Sequence, residues 1–371
     1  MQIKNILHKI APENVIRGEN AWEQAKTIIP QICKKPLFLG RSKDTLGIRK
    51  LLTDQLRNCH VVSINAQLKF DCCEIDLKRI YEIANENNCD AIIASGGGKV
   101  LDAGKLLAYR LNLPCITIPL SASTCAGWTA LSNIYSSKGA FIKDQSLNTC
   151  PKLIIFDHQL VRKAPKRLLA SGIADALAKW YESSISSGKS DDGLVQQAVQ
   201  MARVLRDQLL LDGYEALKNP YSKSWEKVAE GCSLTAGLIG GIGGPKCRTS
   251  AAHAVHNGLT QLSFSKKPLH GEIVGFGILV QLRLEELFSN NQLAYQSKKQ
   301  ITKLLKELDL PTNLTSLGLE NYSLRELDNA CSFSCNKNSD IHNMPFKIDK
   351  EILKKAILDI NKTTIDVVKT K

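Results

Sequence analysis

The sequence predicts an α/β domain built on a parallel sheet, followed by an all-helical domain. Three observations carry this. Short apolar runs alternate with helical stretches in the first half, three glycines stand between a strand and a helix, and amphipathic segments of helix length take over after Asp157. Leu37 to Gly40 reads as a strand. Ile75, Leu77, Ile80, Tyr81 and Ile83 recur near helical spacing in a segment that ends around Asn87 and Asn88. A strand from Asp90 to Ala94 follows, then the turn Gly96-Gly97-Gly98. Val100, Ala103, Leu106 and Leu107 place a helix from Lys99 to Leu111, and Cys115 to Ile118 and Leu153 to Phe156 are further strands of the same βαβ architecture. The later helical segments are Pro165 to Ser186, Val195 to Leu211, Trp225 to Leu238, Ala251 to Leu262, Gly271 to Leu287 and Leu293 to Leu308. A boundary near residue 160 divides an α/β domain, 1–160, from a helical domain, 161–371. No low-complexity linker joins them, so the two halves are expected to pack around a cleft.

Of the 371 residues, 43% are hydrophobic and 23% charged, which excludes a disordered tail, a collagen and a coiled coil. The longest apolar runs are strand-sized, far below the ~20 residues that span a bilayer. At the N-terminus Lys4, Asn5, His8 and Lys9 interrupt any secretory apolar core, so a cytoplasmic location is expected. The twelve cysteines contain no C-x-x-C and no zinc-ribbon spacing and read as reduced thiols. The net charge of +13 is spread in pairs such as Lys34-Lys35, Lys266-Lys267 and Lys298-Lys299, and only 6% of residues are aromatic. That pattern reads as a solvated basic surface that attracts anionic small molecules, with no nucleic acid partner and no membrane partner.

Three constellations carry chemistry. Gly96, Gly97, Gly98 and Lys99 end a strand and open a helix, where glycines let backbone approach a pyrophosphate and the helix amides favour an anion. The run is neither G-x-G-x-x-G nor a Walker loop, and a plain turn is the competing reading. Asp102, three residues after Lys99, reads as a complement to the helix dipole. A second turn, Pro119 to Thr129, follows the next strand and is rich in small hydroxyl side chains. Two consecutive strand ends carrying such loops point to one ligand crevice. The third constellation is Asp175, with His253, His256 and His270. One carboxylate and two imidazoles suit a divalent cation with a fourth position open for substrate, against satisfied core histidines as the alternative. None of it is the H-E-x-x-H pattern.

In this order the motifs resemble the iron-containing, metal-dependent alcohol dehydrogenase superfamily in its glycerol dehydrogenase branch. The shared series is G-G-G-K-x-x-D-x-x-K, a P-x-x-A-S-T turn, G-I-x-D-A-L-A-K-W, A-A-H-A-V-H-N-G-L and H-G-E, and it spans nearly the whole chain. The resemblance implies a Rossmann-like N-terminal dinucleotide-binding domain and a helical metal-binding and substrate domain, the dehydroquinate synthase-like fold, with a metal between them. It implies Asp175, His253 and His270 as ligands. It also implies that Gly98, Lys99, Asp102, Ser123, Thr129, Leu131 and Tyr135 line a nicotinamide cofactor whose phosphates lie over Gly96, Gly97 and Gly98.

Four positions depart from the family pattern. Lys179 stands where four-ligand iron enzymes carry a His, one helical turn after the Asp, which favours a three-ligand zinc site over iron. Cys125 replaces the Asp that contacts the polyol in glycerol dehydrogenases. Arg41 follows the first strand, where those enzymes place an acid for the adenosine ribose, and favours the 2′-phosphate of NADP. Arg248, five residues before His253, together with the T-C-A-x-W-T turn, is similar to the hydroxycarboxylate dehydrogenase branch, whose substrates are 2-oxo acids.

The expected activity is that of a metal-dependent, NAD(P)-linked oxidoreductase interconverting a small polyol or 2-hydroxy acid and its ketone. In it the metal polarises the substrate oxygen while hydride passes to or from the nicotinamide. His256 either relays the proton or supports the site, and Arg248 and Cys125 shape the substrate end. The alternatives are an NADP-dependent 2-oxo acid reductase, an sn-glycerol-1-phosphate dehydrogenase, and a metal-binding protein that keeps the fold without catalysis. A homo-oligomer is expected.

Overall fold

The structure, a computed structural model, describes residues 7–289 and 292–368; Lys4 and Asn5 lie outside them. The chain forms two compact units, Met1–Pro165 with Ser233–Gly244, and Lys166–Cys232 with Pro245–Lys371.

In the first unit the elements run β1 (Asn14–Gly18), α1 (Ala21–Ile32), β2 (Leu37–Gly40), α2 (Leu46–Asn58), β3 (Ile64–Gln67), α3 (Glu74–Glu86), β4 (Ile92–Gly96), α4 (Gly98–Leu111), β5 (Cys115–Pro119), β6 (Leu131–Tyr135), β7 (Phe141–Ser146), β8 (Leu153–Asp157) and α5 (His158–Arg162). Six strands make one sheet in the order β1-β8-β5-β4-β2-β3, every pairing parallel, while β6 and β7 form a separate antiparallel hairpin. β2, β4, β5 and β8 are buried along their whole length, as parallel strands covered on both faces must be. Leu37, Leu39, Ile92 and Ala94 face α3 and α4. The alternate residues Phe38, Ala91 and Ile93 face α1 and α2. Chain order reverses between β2 and β4, because β3 lies outside β2 and the chain then crosses back to build β4 and β5 on the other side. A ligand in such a sheet binds beyond the strand ends at that reversal. Arg41 follows β2 there, and Gly96–Lys99 follow β4.

The second unit is built from α6 (Lys166–Ser187), α7 (Gly193–Lys218), α8 (Lys223–Glu230), α10 (Ala251–Leu259), α11 (His270–Ser289), α12 (Gln292–Glu307), α13 (Leu324–Ser334) and α14 (Lys350–Val368). The segment read as one helix from Trp225 to Leu238 is interrupted by a π-helical turn at Gly231–Thr235, after which α9 (Ala236–Gly243) belongs to the first unit. A single boundary near residue 160 therefore does not describe residues 233–244. The reason is local: a Cβ on Gly237 would stand 2.6 Å from the Trp128 side chain, and one on Gly241 would overlap the Ile10 backbone, so two glycines let α9 lie directly on that unit. Glycines also set the helix packing around His270. Gly271 abuts the Ser171 backbone and Gly277 that of Ala252, which docks α11 on α6 and α10. Among the described residues no helix is long and apolar enough to cross a membrane. Among the described residues no two cysteines form a disulfide.

Candidate metal and cofactor sites

Asp175 lies mid-way along α6, His253 in the first turn of α10, and His270 at the start of α11. Docking of Gly271 on Ser171, whose hydroxyl accepts the Gly271 N–H at 3.1 Å, brings His270 beside Asp175. Asp175 Oδ1 stands 3.4 Å from His253 Nε2 and 3.3 Å from His270 Nε2. It is buried and makes no hydrogen bond. Two imidazole nitrogens beside an orphaned carboxylate oxygen make the three donor atoms that a cation requires. Ligands of a tetrahedral zinc at ~2.0–2.1 Å stand about 3.3–3.4 Å apart, so these two separations fit such an ion. These residues therefore suit a divalent metal bound by one oxygen and two nitrogens.

The electrostatics agree. Burial raises the Asp175 pKa, but His270, His253 and Lys179 outweigh it and hold the carboxyl well below its usual range. Burial opposes charge on His253, yet Glu182 and Asp175 on its two sides push its pKa up to about 9. The acids that favour a second proton on this ring also favour a metal at Nε2. His256 is the opposite case: burial and the neighbouring His270 hold it well below the ordinary imidazole value. Its Nε2 lies 2.9 Å from His270 Nδ1 and its Nδ1 2.9 Å from Asn257 Oδ1. Lys179, one turn after Asp175, is buried and donates to the Arg248 carbonyl at 3.3 Å. Arg248 itself is half-buried.

Sequence reasoning missed Glu182, which is fully buried and contacts His253 Nδ1 at 2.6 Å. The signal was present: a Glu seven residues after the ligand Asp lies two turns along the same helix face.

In the first unit α4 starts at the glycine turn with no side-chain cap on Gly97. The Val100 N–H turns back to the Gly97 carbonyl at 2.9 Å, and the positive end of the helix dipole at this turn favours an anion. The turn is crowded at both ends and open in the middle: a Cβ on Gly96 would meet the Val100 side chain at 2.9 Å and one on Gly98 the Thr124 methyl at 2.6 Å, whereas one on Gly97 has only Ser121 Oγ, at 3.8 Å. Ser123 Oγ is 3.0 Å from Ser121 Oγ. Asp102 is buried and pairs with Lys105 at 3.1 Å; Lys105 also donates to the Thr129 carbonyl at 3.0 Å and to that of Leu131. One buried lysine thus ties together three of the residues implied for the cofactor. Lys99 lies over the Tyr135 ring at 4.6 Å. Arg41 and Lys99 both pair with Asp71, a buried acid that no motif singles out, since it precedes α3 in an irregular loop. Cys125 is half-buried in the second turn.

A sequence model described as iron-containing alcohol dehydrogenase matches residues 12–158. The chain is 47% identical to an uncharacterized oxidoreductase of Synechocystis sp., over 94% of this chain and 90% of that protein. It is 33% identical to a glycerol dehydrogenase of Pseudomonas putida, over 94% and 95%. It is 32% identical to hydroxycarboxylate dehydrogenase A of Escherichia coli, over 77% and 78%. Among solved structures, glycerol dehydrogenase from Schizosaccharomyces pombe superposes with a TM-score of 0.84 at 26% identity, over 98% of this chain and 92% of that one.

Proposed function

Because the chain belongs to the iron-containing alcohol dehydrogenase family, oxidoreductases acting on CH–OH groups, we propose that it interconverts a small 2-hydroxy acid or polyol and its ketone with NAD(P) and one divalent metal. The observation that carries this reading is the convergence of Asp175, His253 and His270 around a buried oxygen without a hydrogen bond. When bound, the metal would polarise the substrate oxygen and the nicotinamide would exchange the hydride. Asp175, His253 and His270 hold the ion, and zinc is favoured over iron because Lys179 takes the place of a fourth ligand. We assign His256 to the support of His270 rather than to proton relay, since both its ring nitrogens are engaged. Gly96, Gly97 and Gly98 with the α4 amides receive the pyrophosphate. Arg41 and Lys99 share one carboxylate, leaving a net positive charge at the sheet's reversal point, which supports NADP over NAD.

Between polyol and 2-hydroxy acid, Arg248 favours the acid. Lys179 holds its carbonyl, and Lys179 is also felt by Asp175 and His253, so Arg248 lies close to the metal ligands. A neutral thiol at Cys125 adds no charge repelling a carboxylate. The resemblance to hydroxycarboxylate dehydrogenase A supports the same reading. The test is NADPH and NADH oxidation with 2-oxo acids, dihydroxyacetone and dihydroxyacetone phosphate, with zinc or with chelator. Arg248→Ala is expected to lower kcat/KM for 2-oxo acids by about tenfold to a hundredfold and to leave the neutral ketone nearly unchanged. Equal losses on both substrates would make Arg248 structural and return the reading to a polyol; a preference for the phosphate ester would favour the glycerol-1-phosphate alternative. Since the relatives are oxidoreductases, a fold kept without catalysis has no support.

A further inference from the structure

We propose that Glu182 is a positioning residue that holds His253 in its metal-binding tautomer, and that Asn257 does the same for His270 by way of His256. A neutral imidazole has one N–H and one lone pair, and only the lone pair binds a metal. Which nitrogen keeps the proton is decided by the group facing the other one. A carboxylate only accepts, so Glu182 Oε2, 2.6 Å from His253 Nδ1, requires the N–H there and directs the Nε2 lone pair toward Asp175. Glu182 has no freedom to turn away. Its Oε1 accepts the backbone N–H of Ser250 at 2.6 Å and of His253 at 2.9 Å. Ser250, at the N-cap of α10, makes no side-chain cap, so Glu182 caps the helix that carries both His253 and His256.

The second path has the same polarity. With the Asn257 carbonyl oxygen 2.9 Å from it, His256 Nδ1 carries the proton and Nε2 is left as an acceptor. His256 Nε2 then takes the N–H of His270 Nδ1 at 2.9 Å, which leaves the His270 Nε2 lone pair on the side of Asp175. Two hydrogen-bond paths, both seated on α10, thus end with both ligand lone pairs aimed at one point, which accounts for an Asp175 oxygen 3.3–3.4 Å from two imidazoles without a hydrogen bond to either.

The proposal rests on Asp175, His253 and His270 being the metal ligands, and its test separates the two claims. Glu182→Gln keeps size and shape, but an amide cannot present oxygen both to the two backbone N–H groups and to His253 Nδ1. The readouts are the zinc affinity of metal-free protein by chelator competition, the melting temperature of the metal-free form, and the 15N shifts of the histidine rings recorded where they are neutral. Zinc affinity is expected to fall about 10- to 100-fold, with His253 changing tautomer. Should Glu182→Gln not fold, Asn257 serves, being only half-buried. Asn257→Leu is expected to weaken zinc binding and Asn257→Asp, which keeps an acceptor at His256 Nδ1, to retain it. A lower metal-free melting temperature with zinc affinity within about threefold of wild type, or equal affinity in the Leu and Asp variants, overturns the proposal. A wild-type protein that binds no zinc overturns the metal assignment itself, and the proposal with it.

Discussion

Glu285, on α11, is a buried carboxyl whose folded-state environment favours the neutral acid. Burial pushes its pKa up from 4.5 to about 7, and the N–H of Gln281, 3.2 Å away, only partly opposes this. A group whose folded pKa exceeds its unfolded value binds extra protons in the folded state. The stability it contributes is complete below about pH 4.5 and is lost as pH rises to about 7. Glu285→Gln is therefore expected to be more stable than wild type at pH 8 by roughly 2 kcal/mol and to lose that advantage near pH 4, as read from urea unfolding at both pH values. A difference independent of pH would mean that the carboxylate is hydrated. The contrast with Glu182 marks how far a sequence can be read at this scale. Asp175, His253 and His270 stand out as candidates in the sequence because they fall in runs that resemble one family's motifs in order, whereas spacing alone leaves core histidines equally open. Glu182 shares the Asp175 face of α6, but its partners lie about 70 positions away and only the packing of α6 on α10 shows them; Asp71 carries no such signal, since its partners, about 30 positions away, meet it only through the ordering of strands in the sheet.

The turn from β4 into α4 separates two functions that neighbouring glycines serve. Gly98 is needed by the fold, since its Cβ would strike Thr124, and Gly97 is not. Gly98→Ala is expected to cost about 1–3 kcal/mol of stability with or without cofactor. Gly97→Ala is expected to keep the melting temperature and lose about tenfold or more in dinucleotide affinity, ~1.4 kcal/mol, measured by NADPH fluorescence titration. Unchanged affinity in Gly97→Ala would move the pyrophosphate off this turn. At the level of elements, the central strands β2, β4, β5 and β8 were readable as apolar runs because both their faces are covered. β1, β3 and the β6–β7 hairpin were not, since edge and hairpin strands are partly exposed and their residues, Asn14–Gly18 or Ile64–Gln67, mix polar with apolar. The π-helical turn at Gly231–Thr235 was hidden because the helical period continues through it.

Across the whole molecule the two ligand sets are built by different units: every metal ligand and its supports come from α6, α10 and α11, and every residue assigned to the dinucleotide comes from the first unit. A ligand that binds only the folded form stabilises by RT ln(1 + [L]/Kd), about 2.7 kcal/mol at a hundredfold excess over Kd, and it protects first the segments whose opening breaks its site. Zinc added to metal-free protein is therefore expected to slow amide hydrogen exchange most in α6, α10 and α11. NADPH alone should slow it most at the start of α4 and at the loops after β2 and β5. The formal charge of +13 should make the NADPH effect weaken with added salt, while zinc protection, set by short contacts among buried donors, should change little. Protection by zinc centred on α1 to α4, or by NADPH centred on α10 and α11, would contradict the assignment of the two sites to separate units.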